Sequence, residues 1–132
     1  MIVDSSAIVA ILRGEPERVP FEATIAGTRN VRISAATLLE TMIVVDGMRD
    51  PVKSSRVEEF IADGRIEIVD VTSGQARLAR DAYRDFGRGS GHPARLNFGD
   101  CFAYALAKTT GEPLLFRGDD FGHTDLTPAV RV

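Results

Sequence analysis

The chain has 132 residues, 44% hydrophobic and 27% charged, which suits one globular domain with a single core. Its net charge of −3 excludes a broad basic surface as the main means of holding nucleic acid, though not an acidic pocket neutralised by a metal ion. The lone Cys101 excludes an internal disulfide and points to a reducing cytoplasm, while apolar runs far short of roughly 20 residues and the lack of a signal-peptide pattern point away from a membrane.

Residues 1–4 read as a buried strand ending in Asp4. Ser5 or Ser6 is positioned to cap the helix that follows, with Ala7, Ile8, Ala10, Ile11 and Leu12 apolar and Gly14 ending it. Glu15-Pro16-Glu17 opens a second helix carrying Phe21 and Ile25, closed by Gly27. Val31-Arg32-Ile33 is a short strand. Ser34 then caps a helix whose broad apolar face, with Leu38, Leu39, Met42, Ile43 and Val45, predicts deep burial. Asp50-Pro51 starts a helix through Val57, Phe60 and Ile61, stopped at Gly64.

Arg65 to Val71 alternates and is rich in Ile and Val, which predicts a strand. Thr72-Ser73 caps a helix bearing Ala76, Leu78, Ala79, Ala82, Tyr83 and Phe86. Residues 87–98 form a glycine-rich basic loop. Gly99-Asp100 leads a helix with Phe102, Ala105 and Leu106 on one stripe, ended by Gly111. Pro113 to Phe116 is a strand, Gly118-Asp119-Asp120-Phe121 a turn, and Ala129 to Val132 a last edge strand. Short strands alternating with helices imply an α/β sandwich with a largely parallel sheet.

Four acids fall where chemistry is expected. Asp4, Asp100 and Asp119 sit at element ends that a parallel sheet gathers along its carboxyl edge. Glu40 lies on an apolar helix, where an uncompensated carboxylate is costly. Each alone has a plainer reading: a cap for Asp4, an ion pair for Glu40, a favourable helix dipole for Asp100, turn residues for Asp119 and Asp120. Together they suit a shared divalent cation. Oxygen ligands favour Mg²⁺, with Mn²⁺ possible, and one Cys with two separated His disfavours zinc. Such a site activates a water for attack on a phosphate.

Around these acids, Ser6 and Asn97 are candidates to orient water or carboxylate, and Arg88 and Arg95 to grip a phosphate backbone. Sixteen basic residues are available, all but Lys53 and Lys108 arginine, whose fork matches phosphate. His92 and His123 read as loop histidines, and Cys101 as a small core residue. An aspartyl-phosphate enzyme using Asp4 as nucleophile would want a second Asp two residues on, where Ser6 stands. A receiver domain would want a lysine after a late strand, and neither lysine is so placed. A catalytically silent binding module is the other alternative.

Val3-Asp4-Ser5-Ser6-Ala7, Glu40 within Ala36-Thr37-Leu38-Leu39-Glu40-Thr41, Leu96-Asn97-Phe98-Gly99-Asp100-Cys101-Phe102-Ala103-Tyr104-Ala105 and Pro113-Leu114-Leu115-Phe116-Arg117-Gly118-Asp119-Asp120-Phe121 together resemble the PIN-domain ribonucleases, VapC toxins above all. The resemblance spans the chain and keeps the family's order and spacing. It implies one domain over residues 1–132, a three-layer α/β/α sandwich with a central, mostly parallel sheet. It implies Mg²⁺- or Mn²⁺-dependent endonucleolytic cleavage of RNA, a homodimer, and a VapB-type antitoxin occupying the active-site groove. Asp4, Glu40 and Asp100 match three of the family's acids. The fourth falls in the Gly118–Phe121 turn, on Asp119, which is favoured, or on Asp120.

Overall fold

A computed structural model of the chain describes residues 1–130. Its elements are β1 (Ile2–Val3), α1 (Ser5–Leu12), α2 (Arg18–Ala26), β2 (Arg32–Ser34), α3 (Ala35–Asp46), α4 (Pro51–Asp63), β3 (Glu67–Val69), α5 (Ser73–Phe86), α6 (Asp100–Thr110) and β4 (Leu114–Leu115), then a 3₁₀ turn at Asp120–His123. The strands pair in the order β3-β2-β1-β4, all parallel. Ile2 lies opposite both Arg32 and Leu114, and Val3 opposite Leu115. The chain lays β2 and β3 outward on one side of β1, then returns to place β4 on the other. The order therefore reverses beside β1, which makes the carboxyl ends of β1 and β4 the topological switch point of the sheet.

β1 and β4 are short but buried on both faces, because side chains alternate across the sheet, whereas β3 at the far edge is largely exposed. Val3, Ile33 and Leu115 join Ile8, Phe21, Leu38, Val57 and Ile61 in a core shared with α1 to α4. Ile2 and Leu114 join Ala79, Ala82, Leu96 and Leu106 in a second core with α5 and α6. The three-layer α/β/α sandwich that the resemblance implies is what forms. Ile2, Val3, Leu114 and Leu115 are at most 1% exposed. Burying each contributes roughly 1.5–3 kcal/mol, and this central grip fixes where the two strand ends lie.

Several local expectations are corrected. Asp4, not Ser5 or Ser6, caps α1, since its carboxylate accepts the Ser6 N–H. Both serines sit inside the helix with their hydroxyls available to other partners. The second helix begins at Arg18 rather than Glu15, because residues 15–18 close a tight turn through Arg18 N–H to Glu15 O. Pro20 then falls in its first turn, where a missing N–H is harmless. The strand at 65–71 shrinks to Glu67–Val69, with Arg65 left-handed at φ 50°. Val31 lies outside β2, which runs on to Ser34 instead.

The apolar face of α3 is not deeply buried throughout. Leu39 and Ile43 are 59% and 61% exposed. The 87–98 loop folds back on itself instead of standing free. Arg88 N–H donates to Leu96 O and Leu96 N–H to Phe86 O, and Ala94 and Leu96 are buried. Of the expected strand from Ala129, residues 129–130 form none: an isolated parallel bridge joins Leu114 to Pro128, just before it, and Ala129 N–H donates to Leu114 O. Residues 131–132 of that expectation lie outside the described residues.

Candidate active site at the carboxyl edge of the sheet

Asp4 is the first residue after β1 and is 1% exposed. Its Oδ2 accepts the Ser6 N–H at 3.0 Å, and its Oδ1 is buried with no partner among the described residues. The carboxyl pKa is raised from 3.8 to about 7. Burial is the main cause, the Ser6 hydrogen bonds oppose it, and the negative charges of Asp100 and Glu40 add to it. A buried, orphaned carboxylate oxygen is unfavourable unless something cationic meets it.

Glu40 reaches the same region from the second turn of α3, which begins directly after β2 with Ser34 capping it. The Ser5 hydroxyl donates to Glu40 Oε1. The Glu40 carboxylate lies against the Gly99 backbone, in the space that a Cβ there would fill. A Cβ at residue 99 would force the Glu40 carboxylate to move from this position. Asp100 is held by a reciprocal pair: Asn97 N–H donates to Asp100 Oδ2 at 2.9 Å, and Asp100 N–H donates to Asn97 Oδ1 at 2.8 Å. This is the geometry of a capping box, and it aims one carboxylate oxygen while leaving the other to the site. The Asp100 pKa is raised to about 6, chiefly by burial. The Asn97 bond opposes the rise, Glu40 and Asp120 add to it, and Arg88 counters it.

The structure thus brings Asp4, Glu40 and Asp100 within reach of one another's charge. Of the adjacent pair in the 118–121 turn, Asp120 is the one whose charge acts on Asp100. Asp119, the residue favoured from sequence, lines a neighbouring cavity instead. Ser6 Oγ accepts the Arg117 N–H at 3.0 Å, which ties the β1–α1 corner to the segment carrying both acids. Arg88 is exposed with its charge felt at Asp100, whereas Arg95 is exposed and left-handed at φ 49°, with no hydrogen bond to the acids among the described residues. Asn97 acts on Asp100. His92 serves its own loop, its Nδ1 accepting the Ala94 N–H and its ring meeting Phe86 edge-on. Cys101 is buried, its thiol pushed up to about 11 by burial and by Asp100.

Two contributors went unread in the sequence. Ser5 adjoins Asp4, but only the fold reveals that it faces α3. Gly99 lies in a motif, yet the group that takes up the space of its missing Cβ is Glu40, 59 positions away by chain number. Among the described residues no three His, Cys, Asp or Glu side chains are placed to hold a metal ion directly. The donor set still fits a hard cation that keeps part of its water shell: oxygen-only ligands, an orphaned Asp4 oxygen, and carboxyl pKa values raised chiefly by burial and further by neighbouring negative charge.

Residues 1–126 match the PIN domain family. The chain is 54% identical over 130 residues to "Ribonuclease VapC28" of Mycobacterium tuberculosis, covering 98% of each chain. In structure it resembles Mycobacterium tuberculosis VapC20, described as a sarcin-ricin loop cleaving toxin, with a TM-score of 0.75, 17% identity, and coverage of 99% and 98%. It also resembles a toxin-antitoxin complex from Klebsiella pneumoniae, with a TM-score of 0.71, 16% identity, and coverage of 99% and 98%.

Proposed function

This chain belongs to the PIN-domain family, among its VapC ribonucleases, and on that premise we propose that it is a metal-dependent endoribonuclease, the toxin of a toxin–antitoxin pair. The observation that carries the mechanism is the buried, half-unpartnered carboxylate of Asp4 at the sheet's switch point, with Glu40 and Asp100 around it. Asp4, Glu40, Asp100 and one acid of the Asp119–Asp120 pair would hold a divalent ion, Mg²⁺ or Mn²⁺, in part through waters it keeps. The charge of Asp120 on Asp100 favours Asp120 for that place. Such an ion supplies a lowered pKa for an attacking water and charge compensation for the departing oxygen.

The protein's own groups do the positioning. Ser5 orients Glu40, Asn97 orients Asp100, and the bond from Arg117 to Ser6 fixes the wall beside Asp4. Arg88, exposed beside Asp100, meets an RNA phosphate and offsets its charge. Arg95 and Ser6 are weaker candidates for substrate contact. The partner is a VapB-type antitoxin, which would cover this acidic groove with cationic side chains. The exposed Leu39, Ile43 and Phe98 support pairing of two copies into a homodimer. No described helix is long and apolar enough to cross a membrane, and the proposed site of action is the cytoplasm.

The test is cleavage of a mixed RNA pool by protein with Mg²⁺, with EDTA, and by Asp4→Asn purified identically. Cutting in the first case alone supports the reading. Equal cutting in all three overturns it.

A further inference from the structure

Beside the acids lies a second cavity of about 520 Å³, within the size range of small-ligand sites. Phe21, Phe116 and Val130 form its apolar part, and Glu17, Arg117 and Asp119 its polar rim. It is joined to the acid site by the chain itself. Arg117 N–H is bonded to Ser6, whose own N–H is bonded to Asp4. Asp119 is followed at once by Asp120, the acid whose charge reaches Asp100, and neighbouring Cα atoms are about 3.8 Å apart. A strand with its phosphate at the acids puts an adjoining base within reach of the 116–119 segment, which lines this cavity.

We infer that this cavity is a base-binding subsite that selects guanine next to the scissile phosphate, with Asp119 as the residue that reads it. The inference rests on the nuclease reading above. Phe116 is half-buried beside Phe121, with ring centroids 5.3 Å apart, and offers an aromatic surface to a flat ring. Glu17 is already engaged, because Arg117 Nε donates to its Oε2 at 3.3 Å. Asp119 is exposed, and although it precedes the 3₁₀ turn its side chain makes no capping bond. Among the described residues its carboxylate accepts no hydrogen bond, so it is the rim carboxylate with both oxygens open to a ligand.

A carboxylate only accepts hydrogen bonds. Guanine presents two adjacent donors, N1–H and the N2 amino group, which a carboxylate takes together. Its O6 accepts from a guanidinium such as Arg117. Adenine, cytosine and uracil each lack that adjacent pair. Asp119 and Asp120 thus divide their labour, one reading a base and the other acting with Asp100.

The experiment compares two oligoribonucleotides that differ only by guanosine or inosine beside the cut, which removes the N2 amino group alone. Wild type with Mg²⁺ or Mn²⁺ is expected to prefer guanosine about tenfold in kcat/KM, the scale of one lost hydrogen bond to a charged acceptor. Asp119→Asn, isosteric and exposed, is expected to cut both alike at the slower rate, with an unchanged thermal midpoint. Phe116→Leu is expected to raise KM for both and keep the preference. A wild-type preference that Asp119→Asn leaves intact overturns the subsite. So does an Asp119→Asn protein that cuts as wild type does but binds antitoxin more weakly, since the cavity would then hold a peptide. Absence of any metal-dependent cutting by wild type overturns the nuclease reading itself, and the subsite with it.

Discussion

The two edges of the sheet treat carboxylates in opposite ways. At the amino edge, Glu112 precedes β4 and accepts from the Met1 ammonium at 2.9 Å and from Arg32 at 2.8 Å. Partial burial opposes its ionisation, but those hydrogen bonds and one from Thr110 win, and its pKa is lowered. At the carboxyl edge no cation is hydrogen-bonded to Asp4 or Asp100 among the described residues, Arg88 only tempers Asp100 from nearby, and their pKa values rise to about 7 and about 6. Asp4 is also more buried than Glu112. A carboxylate kept for the fold is neutralised within the fold. One that the fold leaves without a cation is open to a ligand that would neutralise it, and its ionisation opposes folding.

Asp4→Asn should separate the two roles most sharply. The amide keeps the helix cap but not the charge. RNA cleavage should fall about a thousandfold, the scale of losing a central electrostatic group. The metal-free variant should nevertheless gain stability above pH 7, on the order of 3 kcal/mol for a group so fully buried. Cleavage assays beside urea unfolding in EDTA would show both, and a destabilised variant would mean that Asp4 belongs with Glu112.

The pH dependence has a fixed sign. The folded pKa values of Asp4 and Asp100 lie above the unfolded 3.8. Their ionisation therefore opposes folding. Their contribution is complete below pH 3.8 and is lost as pH rises through about 6 and about 7. The thermal midpoint in EDTA should drop between pH 5 and pH 8, and Mg²⁺ should restore more at pH 8 than at pH 5. A midpoint flat across this range would contradict the contrast between the edges. Glu112, lowered instead, contributes in the opposite sense and loses its contribution toward acid.

Smaller changes refine the picture. Ser5→Ala frees the Glu40 carboxylate and should weaken the apparent Mg²⁺ affinity or the cleavage rate about tenfold, as loss of an orienting partner commonly does. Titrating Mg²⁺ in the cleavage assay distinguishes these. Glu112→Gln should cost only about 1 kcal/mol in urea unfolding, because its ion pairs are partly solvated, and should leave cleavage unchanged. Loss of activity there would show that the amino edge is coupled to the site.

Much of this was legible in the chain. The periodicities predict the helices, the alternation of elements predicts the parallel sheet, and Asp4 and Asp100 stand out because element ends are marked locally by caps and glycines. Glu40 stands out because an acid on an apolar stripe breaks the pattern. The α3 face reads as buried from its width, yet Leu39 and Ile43 face outward. Periodicity registers apolarity and not what is available to cover it.

The sequence by itself determined which acids exist, which elements carry them, and that a parallel sheet would gather their ends at one edge. These follow from hydrophobic period and capping chemistry, which act over a few residues. The tertiary structure alone decided that Ser5 serves Glu40, that the Glu40 carboxylate occupies the space a Cβ on residue 99 would take, and that the charge of Asp120 reaches Asp100. Those are contacts between segments far apart in the chain, or choices between neighbours made by a turn. Their physical basis is the packing of α3 and α6 against each other and against β2, and the bond from Arg117 to Ser6, neither of which leaves a trace in local pattern.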